Sequence, residues 1–237
     1  MAKKQIVALG GGGFSEGGPL ILEKYILEQT GKERPKVCFV PTASGDSEGY
    51  VERFYAGLGE LNCELTHLAL FRRTVADLVA FACAQDVIYV GGGNTLNMMA
   101  IWRAHGVDVA LREAYKRGTV MTGLSAGSIC WFQHGPSDSF GGVLRPIDGL
   151  GILPMSHCPH YDSEESRRPT YQKLIAEGQL LPGYAADDDA ALHFVEGKLF
   201  RVVAARPDAY GYRIERGDGQ DGMEREMCLM TTCLIDA

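Results

Sequence analysis

The first half of the chain repeats one unit: a short apolar segment, a loop of glycine or small polar residues, and an amphipathic helix. The apolar segments are residues 5–9, 36–40, 64–70, 86–90 and 119–122. Short apolar runs that alternate with helices are typical of parallel strands buried on both faces. The repetition predicts an α/β fold, a three-layer sandwich in which helices cover both faces of a mainly parallel, twisted sheet.

Helical spacing of apolar residues follows most of these segments. It predicts helices at residues 20–29, 48–60, 74–83, 95–104, 107–117, 126–133 and 164–177. Beyond residue 183 the chain reads as short strands and turns, so we expect extra strands appended near the C-terminus. Because the sequence contains no long linker or internal repeat, residues 1–237 are predicted to form a single α/β domain.

Charge and cysteine content narrow the functional class. The formal net charge is −7, whereas nucleic-acid-binding proteins usually present a basic face, so no nucleic-acid partner is expected. No apolar run approaches the roughly 18 residues of a membrane helix, and the first one is too short for a signal peptide. Seven cysteines without a Cys-x-x-Cys pair favour free thiols. We therefore expect a cytoplasmic protein without a membrane partner.

One strand-to-helix junction has the pattern of a nucleophile elbow. Residues 123–127 read Gly-Leu-Ser-Ala-Gly between an apolar strand and a predicted helix. In such a turn the flanking glycines allow a sharp bend that exposes the serine hydroxyl. Ser125 is the candidate nucleophile, and the backbone N–H of Ala126 can donate to an oxyanion. The alternative is a glycine-rich turn whose serine merely caps the helix.

A second glycine-rich junction, Gly-Gly-Gly-Asn at residues 91–94, follows the strand before the elbow. Ligands of open α/β sheets bind beyond the carboxyl ends of the strands, so this loop and the elbow should share one crevice. Acyl transfer needs a second oxyanion donor, for which we select the N–H of Gly93, with Asn94 as a substrate contact. A phosphate-binding loop is the competing interpretation, but no Lys-Ser/Thr pair follows.

A serine nucleophile needs a base, and residues 157–160, His-Cys-Pro-His, offer two candidates. Pro159 stiffens the backbone before His160, whereas the remaining histidines have no polar cluster around them. Because no second Cys/His cluster completes a zinc site, no metal and no cofactor are expected. The base also needs an acid, for which Asp188 of the 187–189 triplet, Asp138 and Asp162 all remain open.

Three motifs in this order resemble the dipeptidase E family of alpha-aspartyl dipeptidases, relatives of the cyanophycinases. The motifs are Val90-Gly-Gly-Gly-Asn-Thr95, Gly123-Leu-Ser-Ala-Gly127 and Cys158-Pro-His-Tyr161. The resemblance extends to about residue 200. It implies a class I glutamine amidotransferase-like (flavodoxin-like) fold and a serine peptidase of dipeptides or short peptides, including those with N-terminal aspartate. The alternatives are a cyanophycinase-like or other amide or ester hydrolase and a catalytically silent peptide-binding relative.

The resemblance also implies roles for single residues. Ser125 corresponds to the nucleophile, His160 rather than His157 to the base, and the amides of Gly93 and Ala126 to the oxyanion hole. The third triad member of the family is usually a glutamate. Here Asp188 stands in its place, with a side chain one methylene shorter.

Two further expectations come from the resemblance. Arg167 resembles the arginine with which aspartyl dipeptidases hold an acidic side chain. The amidotransferase relatives have a cysteine where this chain has Ser125, which argues against glutamine hydrolysis. The expected partner is a small peptide substrate, with the protein a monomer or a homodimer.

Overall fold

Two sheets and seven helices make up the part of the chain that the computed structural model describes, residues 3–217 and 224–235. The strands are β1 (Gln5–Leu9), β2 (Lys36–Val40), β3 (Glu64–His67), β4 (Val87–Val90), β5 (Val120–Leu124), β6 (Phe132–Ser137), β7 (Arg145–Asp148), β8 (Leu153–Cys158), β9 (Gly183–Ala186), β10 (Ala190–Val195), β11 (Lys198–Ala204), β12 (Gly211–Arg216), β13 (Glu224–Cys228) and β14 (Thr231–Cys233). The helices are α1 (Ile21–Glu28), α2 (Glu48–Leu58), α3 (Leu78–Cys83), α4 (Thr95–His105), α5 (Val107–Arg117), α6 (Ala126–Ile129) and α7 (Arg167–Ala176).

The larger sheet has the strand order β14-β11-β10-β1-β5-β4-β2-β3. Five neighbouring strands, β1, β5, β4, β2 and β3, run parallel, and β10 pairs with β1 in the opposite direction. The α/β class and the mainly parallel sheet are therefore confirmed. All five parallel strands end at the same edge, where their loops converge.

Helices cover both faces of this sheet, as a three-layer arrangement requires. Side chains alternate along each strand. In β1, Val7 and Leu9 pack with α1 and α2, whereas Ile6 and Ala8 join the core formed with α3, α4 and α5. The largest helical contribution to that second core is Trp102, which is fully buried. Burying each such apolar side chain contributes about 1.5–3 kcal/mol, so both helical layers are firmly attached.

The smaller sheet was not foreseen as a separate layer. Its strand order is β13-β12-β9-β8-β6-β7, and α7 packs against it through Tyr171 and Ile175. The predicted helix 126–133 is wrong beyond Ile129, because the chain leaves α6 after one turn and enters β6. Phe132 explains the change: it is fully buried between the sheets, stacked on His157 at 4.6 Å and edge-on to Phe194.

Other boundaries differ by a few residues. The predicted helix 74–83 begins at Leu78, because the Asp77 carboxylate accepts the N–H of Ala80 and caps the helix there. The strand predicted at 64–70 ends at His67. None of the described helices is long and apolar enough to cross a membrane.

Candidate active site

Ser125 lies at the junction of β5 and α6 with φ 54° and ψ −120°. A non-glycine residue with this positive φ carries strain of about 1–3 kcal/mol, which is typical of functional turns. The glycines of the motif are required by space. A Cβ on Gly123 would lie 2.4 Å from the carbonyl oxygen of Gly127, and one on Gly127 would lie 2.1 Å from that of Val90. The Ser125 hydroxyl does not cap α6, so capping does not explain the serine.

The glycine loop after β4 leaves one amide unused. The N–H groups of Gly91, Gly92 and Asn94 each donate to a fixed acceptor in the structure. These acceptors are Val40 O at 3.1 Å, Tyr50 Oη at 3.2 Å and Ala43 O at 2.8 Å. Within the described part of the chain, the N–H of Gly93 has no acceptor. Of the four amides in this loop, the one selected from the sequence is thus the one without an acceptor.

Gly92 fits closely against the elbow, and Gly93 fits closely against the loop that follows β2. Gly93 has φ 135°, and a Cβ there would lie 2.3 Å from the carbonyl oxygen of Ala43. A Cβ on Gly92 would lie 3.2 Å from Cβ of Ser125. The N–H of Ala126, in the first turn of α6, has no intrahelical acceptor. An oxyanion hole needs two such amides from different loops, and the N–H groups of Gly93 and Ala126 are the candidates.

His160 and Asp188 form a hydrogen-bonded pair. His160 Nδ1 donates to Asp188 Oδ1 at 2.7 Å, and the two side chains are 14% and 19% exposed. Because Nδ1 carries the proton in this bond, Nε2 is left as the acceptor that a general base needs. The pair packs on Gly11, where a Cβ would lie 2.1 Å from Asp188 Oδ1 and 2.7 Å from His160 Cε1. Only glycine fits there.

The end of β1 links this pair to the elbow, since Gly11 contacts the pair and β1 is paired with β5. Strands β1 and β5 are paired up to Leu9 and Leu124, so the glycines after β1 leave the sheet beside the elbow. Gly11 also forms a bridge with Asp188. Among the described residues, no hydrogen bond joins Ser125 and His160. Such bonds are often long in free enzymes and shorten when substrate binds.

A family model described as Peptidase family S51 matches residues 6–202. The chain belongs to peptidase family S51. Uncharacterized peptidase YgaJ of Bacillus subtilis (strain 168) is 52% identical over 212 residues, which cover 89% of this chain and 92% of the relative. Peptidase E of Streptomyces coelicolor is 25% identical over 183 residues, 76% of this chain and 73% of that one. The predicted resemblance to the dipeptidase E family is confirmed, and the S51 chain is a serine-type peptidase.

Solved structures agree on the fold. A peptidase from an acI-B1 actinobacterium superposes with a TM-score of 0.71 at 19% identity, covering 95% of this chain and 94% of that chain. A putative peptidase E protein from Listeria monocytogenes EGD-e gives a TM-score of 0.63 at 22% identity, covering 86% and 99%. The S51 chain thus shares the architecture of two peptidases.

Asn94 and Arg167, the two predicted substrate contacts, both make hydrogen bonds within the S51 chain. Asn94 caps α4, since its Oδ1 accepts the N–H of Asn97 at 2.8 Å. Arg167 is 3% exposed, and its Nε donates to Glu164 Oε2 at 2.6 Å. Its Nη1 donates to the carbonyl oxygen of Pro136 at 3.1 Å.

In the part of the chain that the structure describes, neither of the two rival acids is hydrogen-bonded to His160. Asp138 opens the β6–β7 turn, where its carbonyl oxygen accepts the N–H of Gly142. Asp162 lies behind Asp188, because its Oδ1 accepts the backbone N–H of that residue at 2.9 Å. Among the described residues, no group of three or more His, Cys, Asp or Glu side chains is arranged to hold a metal ion.

His157, the other candidate base, is fully buried in the S51 fold. Burial lowers the pKa of His157 to about 3, so the ring stays neutral. Its Nε2 lies 3.0 Å from Ser128 Oγ, which donates to the carbonyl oxygen of Ser125 at 2.8 Å. His157 therefore helps to hold the backbone of the elbow through Ser128. Sequence reasoning missed this support because it considered His157 only as a base, and it missed Tyr50 because that residue lies outside the motifs.

The pKa values of Asp188 and its neighbour Asp187 are shifted in opposite directions from the ordinary value. Burial raises the pKa of Asp188, but hydrogen bonds from His160 and Ser163 outweigh it and bring the pKa below the ordinary value. Asp188 is therefore ionised where a base must work. Burial raises the pKa of Asp187 to about 6, and its Oδ1 has no partner among the described residues.

Replacing Asp187 with asparagine should raise the free energy of unfolding at neutral pH. The pKa of Asp187 is about 6 in the folded state and 3.8 for a free aspartate, so between these pH values the folded state holds a proton that the unfolded state has lost. Stability is therefore lost as the pH rises through that window, by up to about 3 kcal/mol. We expect Asp187→Asn to match the wild type in urea unfolding near pH 4 and to exceed it near pH 7. An equal difference at both pH values would contradict this assignment.

Replacing Gly93 with alanine should lower kcat about 100-fold or more. The added Cβ collides with the carbonyl oxygen of Ala43, so the loop must move and its N–H leaves the oxyanion position. Gly31→Ala is the matched control, because Gly31 also has a positive φ, 65°, but open space around it. Gly31→Ala should lose about 1–2 kcal/mol of stability to backbone strain, and Gly93→Ala should lose more because of the collision, so both should be assayed well below their measured Tm. Only Gly93→Ala should lose activity, and equal activity losses would exclude an oxyanion role.

Proposed function

We propose that this S51 peptidase hydrolyses dipeptides or very short peptides through an acyl-enzyme on Ser125, with His160 as base and Asp188 as its acid. The observation that carries the proposal is the 2.7 Å hydrogen bond between His160 and Asp188 at the strand edge that also holds the strained elbow. An idle relative would have no need to retain both the orienting acid and the strained serine.

The proposed reaction follows from these positions. His160 Nε2 takes the proton of Ser125 Oγ as the oxygen attacks the scissile carbonyl carbon. The amides of Gly93 and Ala126 stabilise the oxyanion of the tetrahedral intermediate. The imidazolium, stabilised by Asp188, then donates its proton to the leaving amine. A water molecule hydrolyses the acyl-enzyme by the same sequence of proton transfers.

A fluorophosphonate probe tests whether the serine is activated. Such a probe forms a covalent bond with a serine that has a working base and leaves an unactivated serine unmodified. We expect one adduct per chain, on the peptide that contains Ser125. A chain that binds peptides without cleaving them would stay unlabelled, and this outcome would favour the silent-relative interpretation.

The surroundings of Arg167 bear on the preferred substrate. Its guanidinium is ion-paired with Glu164 and bonded to the carbonyl oxygen of Pro136. This internal pairing supports a site that accepts neutral N-terminal residues at least as well as acidic ones.

A panel of substrates distinguishes the hydrolytic alternatives. Dipeptides that begin with aspartate, glutamate or a neutral residue, a tripeptide, an aspartate-rich polymer and a simple ester should be compared by kcat/KM. We expect neutral and acidic dipeptides to differ by less than tenfold, with the polymer uncut. A preference for aspartate above 100-fold would restore an acid-binding role for Arg167. Cleavage of the polymer or ester alone would contradict the peptidase proposal.

The state of the cysteines supports a reducing compartment such as the cytoplasm. All seven cysteines of the sequence fall in the described ranges, and each is a free thiol. Cys130, five residues beyond the nucleophile, is buried with its pKa raised well above the usual value by burial, so it does not compete with Ser125.

A further inference from the structure

The acid of the proposed triad is held by its backbone as well as by its side chain. The N–H of Asp188 donates to Asp162 Oδ1 at 2.9 Å, and the carbonyl oxygen of Asp188 accepts from Arg206 Nη2 at 3.1 Å. Arg206 Nη2 also donates to Asp162 Oδ2. Arg206 and Asp162 thus close a ring around the backbone of Asp188.

Arg206 reaches two further carboxylates from its position after β11. Its Nε lies 3.4 Å from Asp189 Oδ2, and its Nη1 lies 2.8 Å from Asp208 Oδ1. A planar guanidinium has five N–H donors in a fixed fork, so one arginine can hold all these groups at once. The N–H of Ala205 donates to the carbonyl oxygen of Asp189 at 2.8 Å, which fixes the base of the arginine against the same segment.

The charges around the pair of His160 and Asp188 are mostly negative. Arg206 is a cation that contacts this pair directly, through the carbonyl oxygen of Asp188. The charged or titratable groups that surround the pair come from the turn after β8, the segment before β10, the turn after β11 and the smaller sheet: Asp162, Glu164, Asp187, Asp189, Asp208, Arg206, Arg167 and His157. Without Arg206 the carboxylates at 162, 188 and 189 would repel one another.

We propose that Arg206 is a positioning residue of the peptidase reaction, which acts with Asp162 to set where the Asp188 carboxylate meets His160. The proposal rests on the function proposed above and extends it. The side chain of Asp188 is short, with one methylene between backbone and carboxylate, so the position of its backbone decides where the carboxylate meets His160. The ring of Arg206 and Asp162 holds that backbone in place.

Two variants separate the geometric effect of Arg206 from its charge. Arg206→Gln removes both the guanidinium fork and its positive charge. We expect kcat to fall about 10- to 100-fold, as is typical when a group that orients a functional residue is lost, while KM stays within twofold of the wild type. The acidic limb of kcat/KM should move to higher pH, because removing a nearby cation favours the protonated imidazole. Arg206→Lys keeps the charge but loses the fork. We expect it to lower kcat while the acidic limb stays in place.

Asp208→Asn is the matched control. Asp208 contacts Arg206 from the solvent side and is 79% exposed, so its replacement leaves the bonds to Asp188 and Asp162 intact. We expect wild-type kcat and an unchanged pH profile. All variants should be assayed at least 10 °C below their measured Tm, so that loss of folded protein does not lower the apparent kcat.

The outcomes distinguish this inference from the proposed function. A wild-type protein that cleaves no peptide and takes no fluorophosphonate label overturns the function itself. An active wild type whose Arg206→Gln variant has a lower Tm but an unchanged kcat and pH profile overturns the positioning role alone. If Arg206→Gln does not fold, wild-type kcat in Arg206→Lys overturns it equally.

Discussion

Replacing Ser125 with alanine is expected to lower kcat for peptide hydrolysis by about 10⁵- to 10⁶-fold, because the attacking oxygen is removed while binding and the oxyanion amides remain. Alanine keeps the Cβ and the strained backbone, so Tm should stay within about 2–4 °C of the wild type. Steady-state kinetics and intact-mass analysis after fluorophosphonate treatment measure both effects. The variant should bind substrate with little change and take no label.

Ser47→Ala is a suitable control for that experiment. Ser47 precedes α2, is exposed and makes no side-chain cap, so its loss should change neither kcat nor labelling. Turnover above about one hundredth of the wild type in Ser125→Ala would mean that another group attacks the carbonyl, and the proposed mechanism would be abandoned.

Replacing Asp188 with asparagine is expected to lower kcat about 10⁴-fold. The carboxylate accepts the Nδ1–H of His160, which keeps Nε2 free to take the serine proton, whereas an amide favours the opposite tautomer and leaves the imidazolium unpaired. Asp188→Glu keeps the charge but must fit an extra methylene against Gly11, so we expect intermediate activity. The readouts are kcat and the rate of fluorophosphonate labelling.

The neighbouring carboxylate provides the control for Asp188. Asp189→Asn makes the same chemical change one position along the chain. The Asp189 carboxylate contacts Arg206 rather than His160, so kcat should fall less than tenfold. A larger loss in Asp138→Asn or Asp162→Asn than in Asp188→Asn would assign the acid elsewhere.

The parallel half of the fold could be predicted because each of its elements has a local signal. Strands such as β2 and β4 are buried on both faces and therefore read as continuous apolar runs, and glycine-rich loops mark where they end. The helix after the elbow was predicted too long because Trp131 and Phe132 fit a helical apolar pattern as well as a strand. Burial between the two sheets favours the strand, and a pattern of neighbouring residues in the sequence carries no information about contacts with a distant sheet.

The motif residues of the site were predictable, whereas their supports were not. Ser125, Gly93 and His160 lie in short sequence patterns whose glycines and proline have steric reasons. Tyr50 and Arg206 each make a hydrogen bond to a backbone group far away in the sequence, and many other tyrosines or arginines could have made it. The packing of α2 places Tyr50 beside the glycine loop, and the path of the chain after β11 places Arg206 beside Asp188. Neither placement can be read from a local sequence pattern.

The central place of β1 in the larger sheet has a consequence for how the protein is made. Its two neighbours, β5 and β10, begin at Val120 and Ala190, so β1 leaves the ribosome long before either partner exists. Pairing across such sequence separations is slow, and β1 must wait with apolar side chains and unpaired backbone groups. Asp188 is translated just before β10, so the pairing that completes the sheet around β1 also completes the proposed triad. A nascent chain would therefore acquire hydrolytic activity only when its own core has closed.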